Sequence, residues 1–306
     1  MKHDKNKYLL LLAAMRPQQW IKNIFVFPPL LFSGQFFHFA QCLKTMLAFI
    51  VFCTVSSSIY IINDLYDRKE DMQHPVKKFR PVASGAVTAK IAIIMAIILT
   101  VFGLAIAVLL NRVLFSVSVV IYIIITVFYS MGLKRVVIID VMIIAAGYVL
   151  RVLGGSAAIS VIPSHWLVLC TFTISLFLGF TKRRAELMSI AESSESNGVT
   201  RIVLSDYSIK FLDQVIPMLT AATIICYALY TVDSRTMEVF GSRAMLITLP
   251  SVIFGLFRYI YIIYHLNCGE DPTQTLLDDV PTIINFLIWI ILSLIVVLYG
   301  EKLVFI

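Results

Sequence analysis

The sequence predicts an all-α, polytopic membrane protein, a bundle of nine transmembrane helices whose chemistry sits in cytoplasmic loops. Three observations predict it. Of the 306 residues, 59% are hydrophobic and 14% charged, whereas soluble domains run near half apolar and about a quarter charged. Apolar runs close to the roughly 20 residues that span a ~30 Å hydrocarbon core recur along the chain. The basic residues collect in alternate gaps between those runs, as cytoplasmic segments do.

The runs fall at 17–36, 42–62, 90–110, 113–130, 138–159, 164–181, 213–232, 243–264 and 281–299. The first is the most interrupted. Pro28, Pro29, Ser33 and Gly34 break it, so a kinked or partly interfacial segment is expected there. The segment Met1–Lys7 is basic, but Arg16, Pro17, Lys22 and Asn23 interrupt the apolar stretch beyond it and no small-residue cleavage site is present. It reads as a retained segment and not as a signal peptide.

Eighteen of the 25 Lys and Arg lie before residue 23, in the gaps after the second, fourth and sixth runs, or, as Lys90, at the very start of the third run. This places the N-terminus in the cytoplasm and, with nine spans, the C-terminus outside; the expected location is a bacterial-type inner membrane. The gap at 265–279 belongs to the cytoplasmic set yet carries no Lys or Arg. The long polar connections 63–89 and 182–212 share the cytoplasmic side, so aqueous chemistry is expected on that face of a single domain, 1–306.

Composition also excludes classes. A net charge of +7 suits nucleic acid, but these cations sit in short gaps between membrane runs, which argues against a nucleic-acid module. Cys42, Cys53, Cys170, Cys226 and Cys268 show neither disulfide nor metal spacing and read as small apolar residues. The histidines lack metal spacing too.

The most informative stretch is Tyr60-Ile61-Ile62-Asn63-Asp64-Leu65-Tyr66-Asp67-Arg68-Lys69-Glu70-Asp71, with Lys77, Lys78 and Arg80 close behind. If the second run continues as helix, 60, 63, 64, 67 and 71 share a face. Carboxylates and an amide oxygen at a helix end suit Mg²⁺, which takes few protein ligands and shares its sphere with substrate phosphates. A solvated charged loop is the plainer alternative. The adjacent cations favour a polyphosphate site.

Further cations face the same side. They lie in Arg16-Pro17-Gln18-Gln19-Trp20-Ile21-Lys22, in Tyr129-Ser130-Met131-Gly132-Leu133-Lys134-Arg135 and in Lys182-Arg183-Arg184-Ala185-Glu186. Arg135 and Arg184 read equally well as membrane anchors. Arg151 lies three helical turns beyond Asp140, about 16 Å along one face, and a charge at that depth implies function. Gly147, Gly154 and Gly155 suit close helix packing. Asp278 and Asp279 suit the N-terminus of the last helix, and Asp206 with Asp213 lacks the third carboxylate of a second metal site.

The run NDLYDRKED at 63–71 resembles the first Asp-rich motif of the UbiA-type intramembrane prenyltransferase superfamily. The blocks at 16–32, 63–85, 129–155, 182–186 and 258–279 resemble its decaprenyl-phosphate phosphoribosyltransferase branch. That resemblance implies nine helices, Mg²⁺, and transfer of 5-phosphoribose from phosphoribosyl diphosphate to a polyprenyl phosphate for lipid-linked pentose donors. It implies that Asn63 and Asp67 bind the metal, and that Lys22, Tyr60, Lys77, Lys134 and Arg151 face the donor, with Lys182 and Arg183 at its phosphates. Asp64, Asp71, Arg80 and Asp140 are the candidates for catalytic roles, and Lys78 and Tyr129 complete the substrate-facing set. The expected partners are the donor, the lipid acceptor and membrane lipids, with homo-oligomerisation left open.

The second Asp-rich motif of aromatic-acceptor prenyltransferases is replaced here by KRRAE at 182–186. A prenyltransferase acting on a small acceptor is the alternative enzyme. A transporter is the non-enzyme alternative, but would carry ionisable residues through several helices near the midplane.

Overall fold

The structure, a computed structural model, describes residues 2–74, 76–192, 202–265 and 272–300. Cys268, Arg201, Lys302 and the part of the 258–279 block at 266–271 lie outside them. Every regular element among the described residues is helical. Nine principal helices are α1 (Lys2–Met15), α2 (Phe39–Tyr66), α3 (Ala89–Leu109), α4 (Val113–Met131), α5 (Ile139–Ala158), α6 (His165–Glu192), α7 (Ile209–Val232), α8 (Leu249–His265) and α9 (Val280–Tyr299). Among the described residues eight helices are long and apolar enough to cross a membrane, namely α2 to α9, with Ala244–Thr248 extending α8.

The first run, 17–36, is broken, as its prolines and Gly34 lead one to expect, and is not among the eight continuous helices of membrane-spanning length. Arg16 enters the left-handed region at φ 53°, after which Pro17–Val26 winds as a 3₁₀ helix and Pro28–Phe32 as a short α segment. Gly34, at φ 70°, turns the chain again. Paired prolines and two left-handed residues within twenty positions do not permit one continuous helix.

Helix ends follow local chemistry. The hydroxyls of Thr88 and Ser208 accept from the backbone N–H groups of Ile91 and Phe211. The carboxylate of Asp279 caps α9, accepting from Thr282 N at 3.0 Å, in agreement with its expected N-terminal place.

Two compact units emerge. The first holds the residues up to Leu30 and His38–Ile162, and the second holds Leu31–Phe37 and, among the described residues, those from Pro163 onward. In the first, Phe52, Val55, Phe115, Val119 and Tyr122 form the core with Val26 from the 3₁₀ run. Small residues bring its backbones together. A methyl group on Gly155 would collide with the Val26 carbonyl oxygen and stand 2.9 Å from the carbonyl carbon, so the 3₁₀ run lies directly on α5. Ser58 on α2 donates to Ala96 O on α3 at 2.8 Å, the kind of interhelical hydrogen bond that lipid does not compete for. Ile97, Ile98 and Val101 on α3 face outward, more than half exposed, as expected of a lipid-facing stripe. The core of the second unit is Tyr227, Tyr230, Phe240, Ala244, Met245 and Val296.

Candidate active site

The polar end of α2 gathers residues from four parts of the first unit. The expected helical face from 60 to 71 is corrected, because the helix ends at Tyr66. Asp67 sits at the break with φ −88° and ψ 3°, and a separate helix, Arg68–Gln73, carries Asp71. Their partners, and not the break, divide these residues into two sets.

Asp64 and Asp71 make the inner set, 1% and 4% exposed. Arg80 bridges them, donating from one terminal nitrogen to Asp71 at 2.7 Å and to Asp64 at 3.3 Å. Arg16 adds a second ion pair to Asp64 and places its guanidinium 5.3 Å from the ring centre of Tyr60. Buried carboxylates persist only with such partners, since an unpaired buried charge costs several kcal/mol.

Asn63 and Asp67 make the outer set. The amide nitrogen of Asn63 donates to Asp67 Oδ2 at 3.0 Å. The remaining oxygens of both residues face Lys134, whose ammonium donates to Asn63 Oδ1 at 3.4 Å and forms an ion pair with Asp67 Oδ1. Lys134 comes from the 3₁₀ turn Leu133–Arg135 between α4 and α5. Two oxygens converging on one positive charge fit Mg²⁺, which uses one or two carboxylates and completes its shell with water and substrate phosphate. Among the described residues no group of three His, Cys, Asp or Glu side chains assembles for a metal. The fit is therefore to a metal shared with substrate and not to a closed protein cage.

Arg151 is buried inside the unit at 5% exposure. Its Nε donates to Asn23 Oδ1 at 2.7 Å, and its terminal nitrogens to Gly147 O and to the Tyr122 hydroxyl, both at 2.8 Å. The rings of Tyr122 and Tyr148 lie 4.6 and 5.4 Å from its carbon. Among the described residues no hydrogen bond joins Arg151 to Lys134. Asn23, fully buried, is itself held by donating to Cys53 Sγ at 3.2 Å and Ser56 Oγ at 3.3 Å.

The remaining candidates are placed less closely. Lys22 and Lys77 are half-buried, and Lys78 is exposed beside the Phe79 ring. Tyr129 is half-buried near the end of α4, and Asp140 is buried in the first turn of α5. Arg135, exposed, pairs with Glu70 at 3.1 Å. Sequence reasoning missed Arg16, Asn23 and Tyr122 as parts of these networks. The signal for the first two was their place in the 16–32 block; Tyr122, inside an apolar run, left none.

Lys182 and Arg183 belong to the second unit. Arg183, 1% exposed, donates to Glu186 at 2.6 Å, and Lys182 lies 3.9 Å from the same carboxylate. Arg184 is no exposed anchor. Its Nε donates to Asp213 at 2.7 Å, its carbon stands 3.7 Å from the Tyr264 ring centre, and the Tyr264 hydroxyl donates to the same Asp213 oxygen. Asp213 thus serves an ion pair and not a second metal set. Arg258 hydrogen-bonds to Asp279 and holds its carboxyl down to about 2, below the usual carboxylate range.

The profile of the UbiA prenyltransferase family matches residues 24–277. The chain belongs to that family. This UbiA chain is 33% identical over 296 residues to the decaprenyl-phosphate phosphoribosyltransferase of Mycolicibacterium smegmatis, covering 94% of this chain and 92% of that protein. It is 28% identical over 283 residues to the protein of the same name from Corynebacterium glutamicum, 92% and 84% of the two chains. Among solved structures, a UbiA homologue from Archaeoglobus fulgidus bound to GPP and Mg²⁺ superposes with a TM-score of 0.69 over 97% of this chain and 100% of that one, at 19% identity. That likeness shows the shared fold. The UbiA chain is thus a multi-pass membrane enzyme of the transferase class.

Proposed function

We propose that this enzyme transfers the 5-phosphoribosyl group of phosphoribosyl diphosphate to a polyprenyl phosphate of the decaprenyl type, releasing diphosphate, in a Mg²⁺-dependent reaction that feeds lipid-linked pentose donors. The observation that carries this reading is the distribution of charge. The acidic set at 63–71 has no Asp-rich counterpart directly after the sixth run, where the sequence reads Lys182-Arg183-Arg184-Ala185-Glu186 and the Glu186 carboxylate is paired with Arg183 and Lys182. A donor with phosphate at one end and diphosphate at the other calls for cations in more than one place, and a single acidic set suffices. Relatives named for this reaction, matched over most of their length, support the same reading.

Within the site, Asn63 and Asp67 would hold the metal, whose chemistry is to neutralise charge gathering on the departing diphosphate. Lys134, Lys77 and Lys22 provide ammonium groups for the donor. Arg151 provides a fixed cation: among the described residues three of its five N–H donors are engaged, which leaves two for an anion. A lipid phosphate is anionic at neutral pH, so it needs positioning and desolvation and not a general base. Oriented cations in a site shielded from water stabilise the transition state most where the leaving group gains charge. The site faces the cytoplasm on this reading, where a water-soluble donor meets a lipid acceptor entering between helices, with the N-terminus on the same side.

The direct test is diphosphate release by the purified protein. Phosphoribosyl diphosphate plus polyprenyl phosphate should release it in Mg²⁺, and the donor alone should not. Equal release without acceptor would overturn the transfer reaction.

A further inference from the structure

Lys134 is positioned where a metal shared by Asn63 and Asp67 would have to stand. Both side-chain oxygens that remain after the internal Asn63–Asp67 hydrogen bond point at its ammonium. The lysine is not built into the core. Its side chain is 17% exposed, it rises from a three-residue turn, and it partners Asp67 at 19% exposure. A long, flexible stem with a compact charge can leave such a position without unpacking anything, unlike a planar, multiply bonded arginine. Arg80 in the inner set shows the contrast. It bridges two buried carboxylates and cannot leave without stranding charge.

We infer that Lys134 is a tethered cation that holds the metal site closed before the metal arrives and is released by it. In the metal-free enzyme the ammonium neutralises Asp67 and keeps its carboxylate aligned with Asn63. A dication at the two oxygens repels the ammonium from the same point, and the freed Lys134 turns to the phosphates that the metal brings in. One residue thereby couples the two binding events. Metal binding opens the lysine for the donor, and donor phosphates draw the lysine off the metal oxygens, so each ligand strengthens the other, as reciprocal linkage requires. The inference rests on the assignment of Asn63 and Asp67 as metal ligands and adds the order and coupling of binding.

The test uses the purified full-length chain in detergent with Mn²⁺ as probe and no donor, reading bound metal by electron paramagnetic resonance. Lys134→Met keeps most of the stem and removes the charge. It should bind Mn²⁺ about fivefold more tightly than the unmodified protein, the equivalent of releasing an ion pair worth about 1 kcal/mol. Asp67→Asn should lose saturable binding at this site. A second readout needs no variant. Acetylation of Lys134 by a limiting amine reagent, followed by peptide mass spectrometry, should rise several-fold when Mg²⁺ is added. Unchanged or weaker Mn²⁺ binding by Lys134→Met, or Lys134 labelling indifferent to Mg²⁺, would overturn the coupling while the loss in Asp67→Asn keeps the metal ligands. Retention of full Mn²⁺ binding by Asp67→Asn would instead overturn the ligand assignment itself.

Discussion

Arg151 and Asn23, 128 residues apart in sequence, meet at 2.7 Å in the interior of the first unit, the guanidinium donating to the amide oxygen. The pair ties α5 to the 3₁₀ run Pro17–Val26, and it fixes the direction of a buried cation. Asn23→Ala would leave Arg151 Nε without its acceptor. A loss of about 1–3 kcal/mol of stability is expected, read as a lower unfolding temperature in detergent.

Arg151→Lys keeps the charge but cannot reproduce three hydrogen bonds in a plane. A drop in donor affinity or rate of about tenfold or more, about 1.4 kcal/mol, is expected in steady-state kinetics with phosphoribosyl diphosphate. Unchanged KM and kcat would assign Arg151 a purely structural role.

Much of the fold is legible in the sequence. The runs at 90–110 and 281–299 correspond to Ala89–Leu109 and Val280–Tyr299, because in hydrocarbon an apolar stretch of that length has to satisfy its own backbone as helix. The placement of Asp279 at a helix start rests on the same boundary logic. The division of the acidic face is not legible. Periodicity places 63, 64, 67 and 71 together, but the partners that separate them come from elsewhere in the chain. Arg80 returns from the following loop, and Lys134 lies 67 residues beyond Asp67. Asn23 carries no local mark of its burial, since one amide beside a basic run reads as surface.

Arg80→Gln removes the bridge between Asp64 and Asp71. Arg16 still pairs with Asp64, and the Arg80 side chain is 27% exposed, so the cost should fall below the 3–5 kcal/mol of a fully buried pair, at about 2 kcal/mol. Thermal unfolding should show the loss, and Arg80→Lys should recover part of it.

Gly155→Ala would drive a methyl group into the Val26 carbonyl, against backbone that cannot yield as a side chain would. A destabilisation of at least about 3 kcal/mol is expected, seen as a sharp fall in the yield of folded protein. Gly85, with no neighbour closer than 4.0 Å to an added methyl group, stands at φ 79°. Its replacement by Ala should cost about 1–2 kcal/mol through backbone strain alone.

The Asp279 carboxyl is held down to about 2 by Arg258 and by its cap on Thr282. A carboxyl depressed in the folded protein stabilises fully above its unfolded value and loses that contribution as pH falls through the folded one. The difference in unfolding temperature between the unmodified protein and Asp279→Asn should therefore be constant from about pH 7 to about pH 5 and shrink only toward about pH 2.

Passage of label from phosphoribosyl diphosphate into lipid decides between the two enzyme readings. With radiolabelled donor, purified enzyme and Mg²⁺, label should enter the organic phase only when a polyprenyl phosphate is present. Neutral polyprenol should not substitute, and Asp67→Asn should abolish transfer. Transfer of a prenyl group from prenyl diphosphate to an aromatic acid, with no ribosyl transfer, would refute phosphoribosyl transfer to a lipid phosphate.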